Sequence, residues 1–145
     1  MSELYLFAHI AGTPVAVRTD EVQAVVKISE ISPVPAVPVQ VAGLAALRSR
    51  VLTVIDVAAL IDPKLADAEN RSYAIVCDIS GHIYGMLVDK VSDIRAVSEP
   101  ALPLHGKTDA AWAHYAEGVI ENDGEAHLLV SLRNFIENSA IGLAA

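Results

Sequence analysis

The feature that most constrains the fold of this chain is a stretch that occurs twice. Residues 43–61 read GLAALRSRVLTVIDVAALI, and residues 118–136 read GVIENDGEAHLLVSLRNFI. In each copy a glycine comes first, an apolar run follows, and an isoleucine stands last. The first apolar run, residues 51–55, is short, β-branched and bounded by turn residues. This pattern predicts a largely buried strand, and the apolar tail after it predicts a short helix.

Two short polar side chains separate the predicted strands from the predicted helices. They are Asp56 in the first copy and Ser131 in the second. Both residue types are good N-caps, because a side-chain oxygen can accept the unpaired N–H groups of the first helical turn. We therefore predict that Asp56 and Ser131 cap the two helices. The small residues before the first strand, around Arg48, predict a loop.

The repeat extends beyond these two stretches. A shift of 69 positions matches the first third of the chain to its second half. The matched pairs are Ile10 with Ile79, Gly12 with Gly81, Asp20 with Asp89, Val22 with Val91, and Val25 with Ile94. The absence of a short solenoid period indicates a duplication rather than an array. The chain is therefore predicted to be a single domain over residues 1–145, with two intertwined halves related by internal duplication.

Short strands separated by glycine and proline favour a mainly β barrel or sandwich. Each half alone is near the lower size limit for independent stability, so two small barrels that share a core are expected. Apolar residues make up 53% of the chain, which is ample for such a core. The formal net charge of −8 argues against binding to nucleic acid or to anionic membranes.

Sequence features of the chain favour a cytoplasmic location. Cys77 is the single cysteine, so no disulfide can form within the chain and a reducing compartment is the simplest interpretation. No signal segment is recognisable at the N-terminus. The apolar stretches fall well short of the ~20 residues that a membrane helix needs. We expect a soluble cytoplasmic protein that does not insert into a membrane.

The chain carries few signals of catalysis or of metal or cofactor binding. Its histidines are scattered and lack the spacing of a zinc-binding helix; they are His9, His82, His105, His114 and His127. No nucleophile elbow, phosphate loop or dinucleotide motif occurs. We expect no metal and no cofactor. One enzyme alternative stays open, a small β-barrel hydrolase that uses Asp56 with His127 or His9.

Arg48 is the residue with the least obvious structural purpose, because it lies at the mouth of a strand predicted to be buried. Two uses of its five N–H donors compete. It can lock the two halves together through carbonyls and a carboxylate, or it can face outward and anchor a partner protein, as arginines do at binding hot spots.

Two segments together resemble CheW-like domains. The pattern Gly43…Leu47-Arg48…Val51…Val54-Ile55-Asp56 resembles the family's G-x-x-N-L-R-G-x-x-x-P-x-x-D-L core. Residues 85–94, GMLVDKVSDI, are similar to its G-x-x-V-D-x-V-x-x-V segment. With residues 4–12 and 118–136, the resemblance covers nearly the whole chain.

The resemblance implies two SH3-like five-stranded barrels around a shared core and no catalysis. Family members are adaptors that couple chemoreceptors to a CheA-type histidine kinase. They contact the kinase regulatory domain barrel to barrel, and the cytoplasmic tip of the receptor docks in an apolar groove between the barrels. Gly43 and Arg48 fall on the family's central motif, and Val22, Tyr73 and Ile94 fall near its receptor or kinase surfaces.

The central motif departs from the family pattern at three positions. Ala46 replaces an asparagine, Ser49 replaces a glycine, and Thr53 stands where proline is common. These departures leave two alternatives open beside the standard adaptor. One is a divergent scaffold that binds only the kinase regulatory domain. The other is an adaptor of a non-flagellar motility system.

Overall fold

The computed structural model describes residues 3–35, 37, 40–98, 101–103, 112 and 115–137. Within them the strands are β1 Glu3–Ile10, β2 Thr13–Arg18, β3 Ala24–Lys27, β4 Val41–Leu47, β5 Arg50–Asp56, β6 Tyr73–Ile79, β7 His82–Val88, β8 Lys90–Val97, β9 Ala116–Asn122 and β10 Glu125–Val130. The α-helices with described bounds are α1 Val57–Ile61 and α2 Leu132–Glu137, and short 3-10 helices span Thr19–Glu21, Pro63–Leu65 and Ala68–Asn70. The predicted mainly β class is confirmed. His105 and His114 lie outside the described residues.

The strands form two five-stranded sheets that exchange hairpins. The first sheet has the order β8-β1-β2-β10-β9, and the second has the order β3-β6-β7-β5-β4. Each sheet therefore takes one hairpin from one half of the chain and three strands from the other half. When β1 to β5 are matched with β6 to β10, the two orders are identical. We infer from this identity that the halves arose by duplication; the sheets are compatible with SH3-like barrels, which stay a prediction.

A shared apolar core fills the space between the two sheets. Its buried side chains come from both sheets and from both helices, and they include Leu6, Val15, Ile55, Ile75, Met86 and Phe135. The opposite faces are buried as well, because Tyr5 and Phe7 belong to a second cluster, and Ala45 and Val54 to a third. Sheets that are buried on both faces explain why strands such as β1 are apolar at consecutive positions.

The loop predicted around Arg48 is shorter than expected, because only Arg48 and Ser49 form a turn and the small residues before them form a strand. Residues 41–47 form β4, which pairs antiparallel with β5 through contacts such as Ala45 opposite Leu52. Alanine and glycine have low strand propensity, and the pairing with β5 overrides that preference. The predicted strand and helix that follow are present as β5 and α1. Val51 is exposed, whereas Leu52 is buried.

The glycine that opens each copy lets a preceding segment cross the edge of a sheet. Gly43 has a φ of +147°, and a Cβ atom there would lie 2.3 Å from the Ser32 carbonyl oxygen. A Cβ atom on Gly118 would lie 2.7 Å from the carbonyl oxygen of Leu102. Both crossing segments exchange two backbone hydrogen bonds with the residue after the glycine. The repeated glycines are therefore explained by close approach of two backbones.

We expect Gly43→Ala to lower the free energy of unfolding by at least about 2 kcal/mol, because the added methyl group meets fixed backbone. Gly12→Ala is the matched control. Gly12 also has a positive φ, +79°, but its Cβ position is open. The control should cost only about 1 kcal/mol for the left-handed conformation. Urea denaturation of both variants measures the difference, and equal losses would contradict the close-approach explanation.

Candidate protein-binding surfaces

Arg48 lies at the exposed tip of the β4–β5 hairpin. Its φ of +57° is in the left-handed region, which a bulky residue adopts at a cost of about 1 kcal/mol. The other two-residue hairpin turns in the described part of the chain place Gly12, Gly81 or Gly124 at the second position, whereas Ser49 follows Arg48. The guanidinium makes no hydrogen bond or ion pair with a described residue. The internal-lock alternative for Arg48 therefore has no support, and the side chain faces solvent.

A cleft opens beside this hairpin, between the two outer strands of the second sheet. We call it the β3–β4 cleft. It consists of two adjoining cavities of about 330 and 260 Å³ that share Val26, Leu47 and Leu52 in their linings. Arg48 and Arg50 line one cavity, and Lys27 lines the other. Glu30 is the one acidic residue in the lining, so the cleft combines an apolar floor with three cations and one carboxylate.

Two exposed apolar pairs lie on separate sheets. In the first sheet Leu4 of β1 and Ile94 of β8 are 53% and 56% exposed. In the second sheet Val25 of β3 and Tyr73 of β6 are 38% and 41% exposed. The strand register makes the members of each pair diagonal neighbours. The 69-residue shift that matches Val25 with Ile94 also matches Leu4 with Tyr73, so the two pairs occupy equivalent places.

The structure does not gather the five predicted binding residues into one patch. Arg48 lies at the β3–β4 cleft, and Tyr73 is opposite Lys27 of the cleft rim. Ile94 lies on the other sheet. Val22 is half-buried against the shared core, and Gly43 is buried at the crossing of Ser32. Only the exposed three are placed to touch a partner with their side chains.

Sequence reasoning missed two of the exposed apolar residues, Leu4 and Val25. A signal for both was available. The 69-residue shift matches them with Tyr73 and Ile94, which are candidate binding residues. The repeat therefore predicts that Leu4 and Val25 are exposed as well, and each resulting pair has one member from each half of the chain.

Asp56 does not cap helix α1, so this part of the capping prediction is wrong. No side-chain bond to the helix is present. Instead its Oδ2 accepts the backbone N–H of Asp67 at 2.8 Å, and Arg71 Nη1 donates to its two oxygens at 3.3 and 3.4 Å. In the second copy the Ser131 hydroxyl donates to Glu21 at 2.9 Å.

Arg71 joins the two sheets through an ion cluster with Asp56 and Asp89. Its Nε donates to Asp89 Oδ1 at 2.9 Å, and Asp89 Oδ2 accepts the N–H of Gly12 in the β1–β2 turn at 2.8 Å. Burial alone would raise the pKa of Asp89. The hydrogen bonds from Arg71 and from the backbone N–H groups of Gly12 and Ala11 outweigh burial and lower this pKa. The internal lock considered for Arg48 is found at Arg71.

The arrangement required by the hydrolase alternative is not found. Asp56 is only 1% exposed, and its oxygens bind Arg71 and Asp67. His127 and His9 instead face Glu125, with Nε2–Oε1 distances of 3.4 and 4.0 Å. Burial raises the pKa of the Cys77 thiol to about 12, which keeps it protonated and a poor nucleophile. Across the described ranges, no three His, Cys, Asp or Glu side chains are placed to hold a metal ion.

A groove between the two barrels was expected to be apolar. At the junction of the sheets the described residues form a cavity of about 190 Å³. Its lining includes charged side chains, among them Asp20, Glu21, Asp78 and Arg133. This cavity is not the expected apolar groove, which stays a prediction.

The fold and these surfaces define a small, mainly β domain with exposed apolar and basic patches on two sheets. Comparison with known proteins gives its family. The family model of the CheW-like domain matches residues 4–140. The chain therefore belongs to the CheW-like family of chemotaxis adaptors.

Individual relatives agree with this assignment. The chain is 33% identical over 102 residues to the chemotaxis protein CheW of Rhizobium meliloti (strain 1021), which covers 70% of this chain and 66% of that protein. It is 25% identical over 126 residues to the chemotaxis protein CheW of Thermotoga maritima, which covers 87% of this chain and 82% of that protein. The crystal structure of the scaffolding protein TtCheW from Thermoanaerobacter tengcongensis has the same fold, with a TM-score of 0.80, 21% identity and 94% of each chain covered. The chain thus spans just under two thirds of the Rhizobium meliloti relative.

We expect Arg71→Met to lower the free energy of unfolding by about 3 kcal/mol, because it leaves the buried Asp56 carboxylate without its cation. Lys64→Met is the control, because Lys64 is an exposed cation in the same segment and should change stability by no more than about 0.5 kcal/mol. Urea denaturation measures both variants. If Arg71→Met and Lys64→Met lowered the free energy of unfolding by similarly small amounts, the Arg71 cluster would not be holding the sheets together.

Proposed function

We propose that this chain is a non-enzymatic adaptor that couples chemoreceptors to a CheA-type histidine kinase. One surface would bind the kinase regulatory domain, and another would bind the cytoplasmic tip of a receptor. The observation that supports this proposal is the presence of two equivalent exposed apolar pairs, Leu4 with Ile94 and Val25 with Tyr73, on different sheets. A coupling protein needs two surfaces that do not compete with each other.

The fixed relation between the two surfaces also supports a scaffold. The shared core and the Arg71 cluster tie the sheets together, so partners on the two sheets would be held at a set spacing. Exposed large apolar side chains at paired strand positions are typical of protein contacts when they cluster. The proposal places the protein in the cytoplasm, where such partners act. No helix in the described part of the chain has the length and hydropathy to cross a membrane.

The first test measures the two surfaces separately. By titration calorimetry, the regulatory domain of a CheA-type kinase from the same organism should bind with micromolar or tighter affinity. Tyr73→Glu and Ile94→Glu should each weaken binding to a different partner, the kinase domain or a receptor-tip fragment, because each introduces a charge into one apolar pair. Leu65→Glu is the control, an exposed apolar residue outside both pairs. If both variants lost binding to the same partner, the proposal of two separate surfaces would be overturned.

The second test concerns Arg48 as an anchor of a partner. Arg48→Gly removes the side chain and relieves the left-handed strain, so stability should stay within about 1 kcal/mol of the parent protein or rise. Binding to the partner should weaken by about 2 kcal/mol or more, as expected for a hot spot. Asp123→Gly is the matched control, because Asp123 has a φ of +52° at the equivalent turn of the β9–β10 hairpin. Unchanged binding in Arg48→Gly, measured by calorimetry beside urea denaturation, would exclude the anchor role.

A further inference from the structure

The β3–β4 cleft has an excess of positive charge, because Lys27, Arg48 and Arg50 line it against a single carboxylate, that of Glu30. Among the described residues, Arg18, Arg71, Arg95 and Arg133 form ion pairs with carboxylates. The described lysines and arginines without an ion pair to another described residue are Lys27, Arg48, Arg50, Lys64 and Lys90. The first three of these line the cleft. In a chain of net charge −8, this concentration of free cations points to an acidic ligand.

The β4 side of the cleft is a strand edge with free backbone groups. Ser32 exchanges hydrogen bonds of 2.8 and 2.9 Å with Leu44 and so covers only one position of this edge. Backbone groups alternate in direction along a strand, so the N–H and C=O of Ala46 point to the same side as those of Leu44. No described residue pairs with Ala46 on that side. The methyl side chain of Ala46 also leaves room for another backbone to approach.

The β3 side of the cleft is a second strand edge. Among the residues that the structure describes, β3 pairs only with β6. The N–H of Ile28, which directly follows β3, donates to the Ser72 carbonyl at 2.6 Å, on the β6 side. By the same alternation, the backbone groups of Lys27 and Val25 point away from β6, toward the border of the cleft. The cleft is therefore bordered on both strands by backbone groups that no described residue pairs with.

We propose that the β3–β4 cleft binds an extended, acidic segment of a partner protein by strand addition. A helix satisfies its own backbone hydrogen bonds and could not use the two free edges, whereas an extended segment pairs with them. Alternate side chains of such a segment point to opposite faces, so apolar residues meet Val26 and Leu52 while acidic residues reach Arg48 and Arg50. This inference rests on the proposed adaptor function in one respect. That function makes Arg48 the anchor of a partner protein, and the inference adds that the anchored segment is extended and acidic.

The test uses a synthetic probe, the acetylated and amidated peptide EVEIEVE with a fluorescent label, titrated with the full chain by fluorescence anisotropy. We expect saturable binding that weakens as salt is raised. Arg50→Glu should weaken it at least tenfold, whereas Lys64→Glu, the same charge change at an unpaired cation outside the cleft, should leave it unchanged. A peptide methylated on alternate backbone nitrogens keeps the charges but loses half of its N–H donors, and it should bind at least tenfold more weakly.

Three results would overturn the proposal. They are no saturable binding of EVEIEVE, equal binding of the sign-reversed peptide KVKIKVK, and equal binding of the backbone-methylated peptide. The adaptor function is tested separately by titration with the kinase regulatory domain. Kinase binding without peptide binding would remove only the strand-addition proposal, and peptide binding without kinase or receptor binding would remove only the adaptor function.

Discussion

The exchange of hairpins between the two halves is the constraint on which the rest of the structure depends. The β1–β2 hairpin completes a sheet whose other three strands come from the second half, and β6–β7 does the reverse. Neither half can form a five-stranded sheet from its own strands in this arrangement. The core between the sheets therefore needs both halves, and this shared core fixes the positions of Ile94 and Tyr73 relative to each other.

The Asp56–Arg71–Asp89 cluster lies where the chain passes from one sheet to the other, next to the turn of an exchanged hairpin. Asp89 is the residue between β7 of the second sheet and β8 of the first, and it holds the turn of the exchanged β1–β2 hairpin through Gly12. Arg71 ties Asp89 to Asp56 at the end of β5. A buried ion pair is a poor source of net stability but a strong penalty against misplaced partners. In this fold it favours one register of the two sheets over alternatives in which a carboxylate would be buried alone.

The sequence predicted the β class, the shared core, β5 with α1, and the equivalence of the two halves' elements, because these follow from hydrophobic periodicity and from the repeat. It did not predict β4, since Ala42, Ala45 and Ala46 carry no strand preference of their own and are held by pairing with β5. It also assigned a cap to Asp56 from local spacing. The Asp56 carboxylate instead binds the backbone N–H of Asp67 and the guanidinium of Arg71. The position of Asp56 just before a helix carries no information about these two more distant residues. Of the two exposed apolar pairs, Tyr73 and Ile94 were predicted as binding residues and Leu4 and Val25 were not. The repeat links these four positions, but it was applied only to the fold.

The turn at Arg48 combines an unusual backbone conformation with an exposed, unpaired side chain, and both bear on whether Arg48 contacts a partner protein. The turns after β1, β6 and β9 accept a left-handed first residue and place glycine second, whereas the β4–β5 turn combines a left-handed arginine with Ser49. The left-handed first residue is a feature of all four turns, with Ala11, Ser80 and Asp123 at the matching positions, so the hairpin itself uses this conformation. The β4–β5 turn differs in the bulk of Arg48, whose guanidinium has no partner among the described residues. The free strand edge at Ala46 and the unpaired Arg50 lie beside Arg48, on the β4–β5 side of the β3–β4 cleft. One segment bound there would contact Ala46, Arg48 and Arg50.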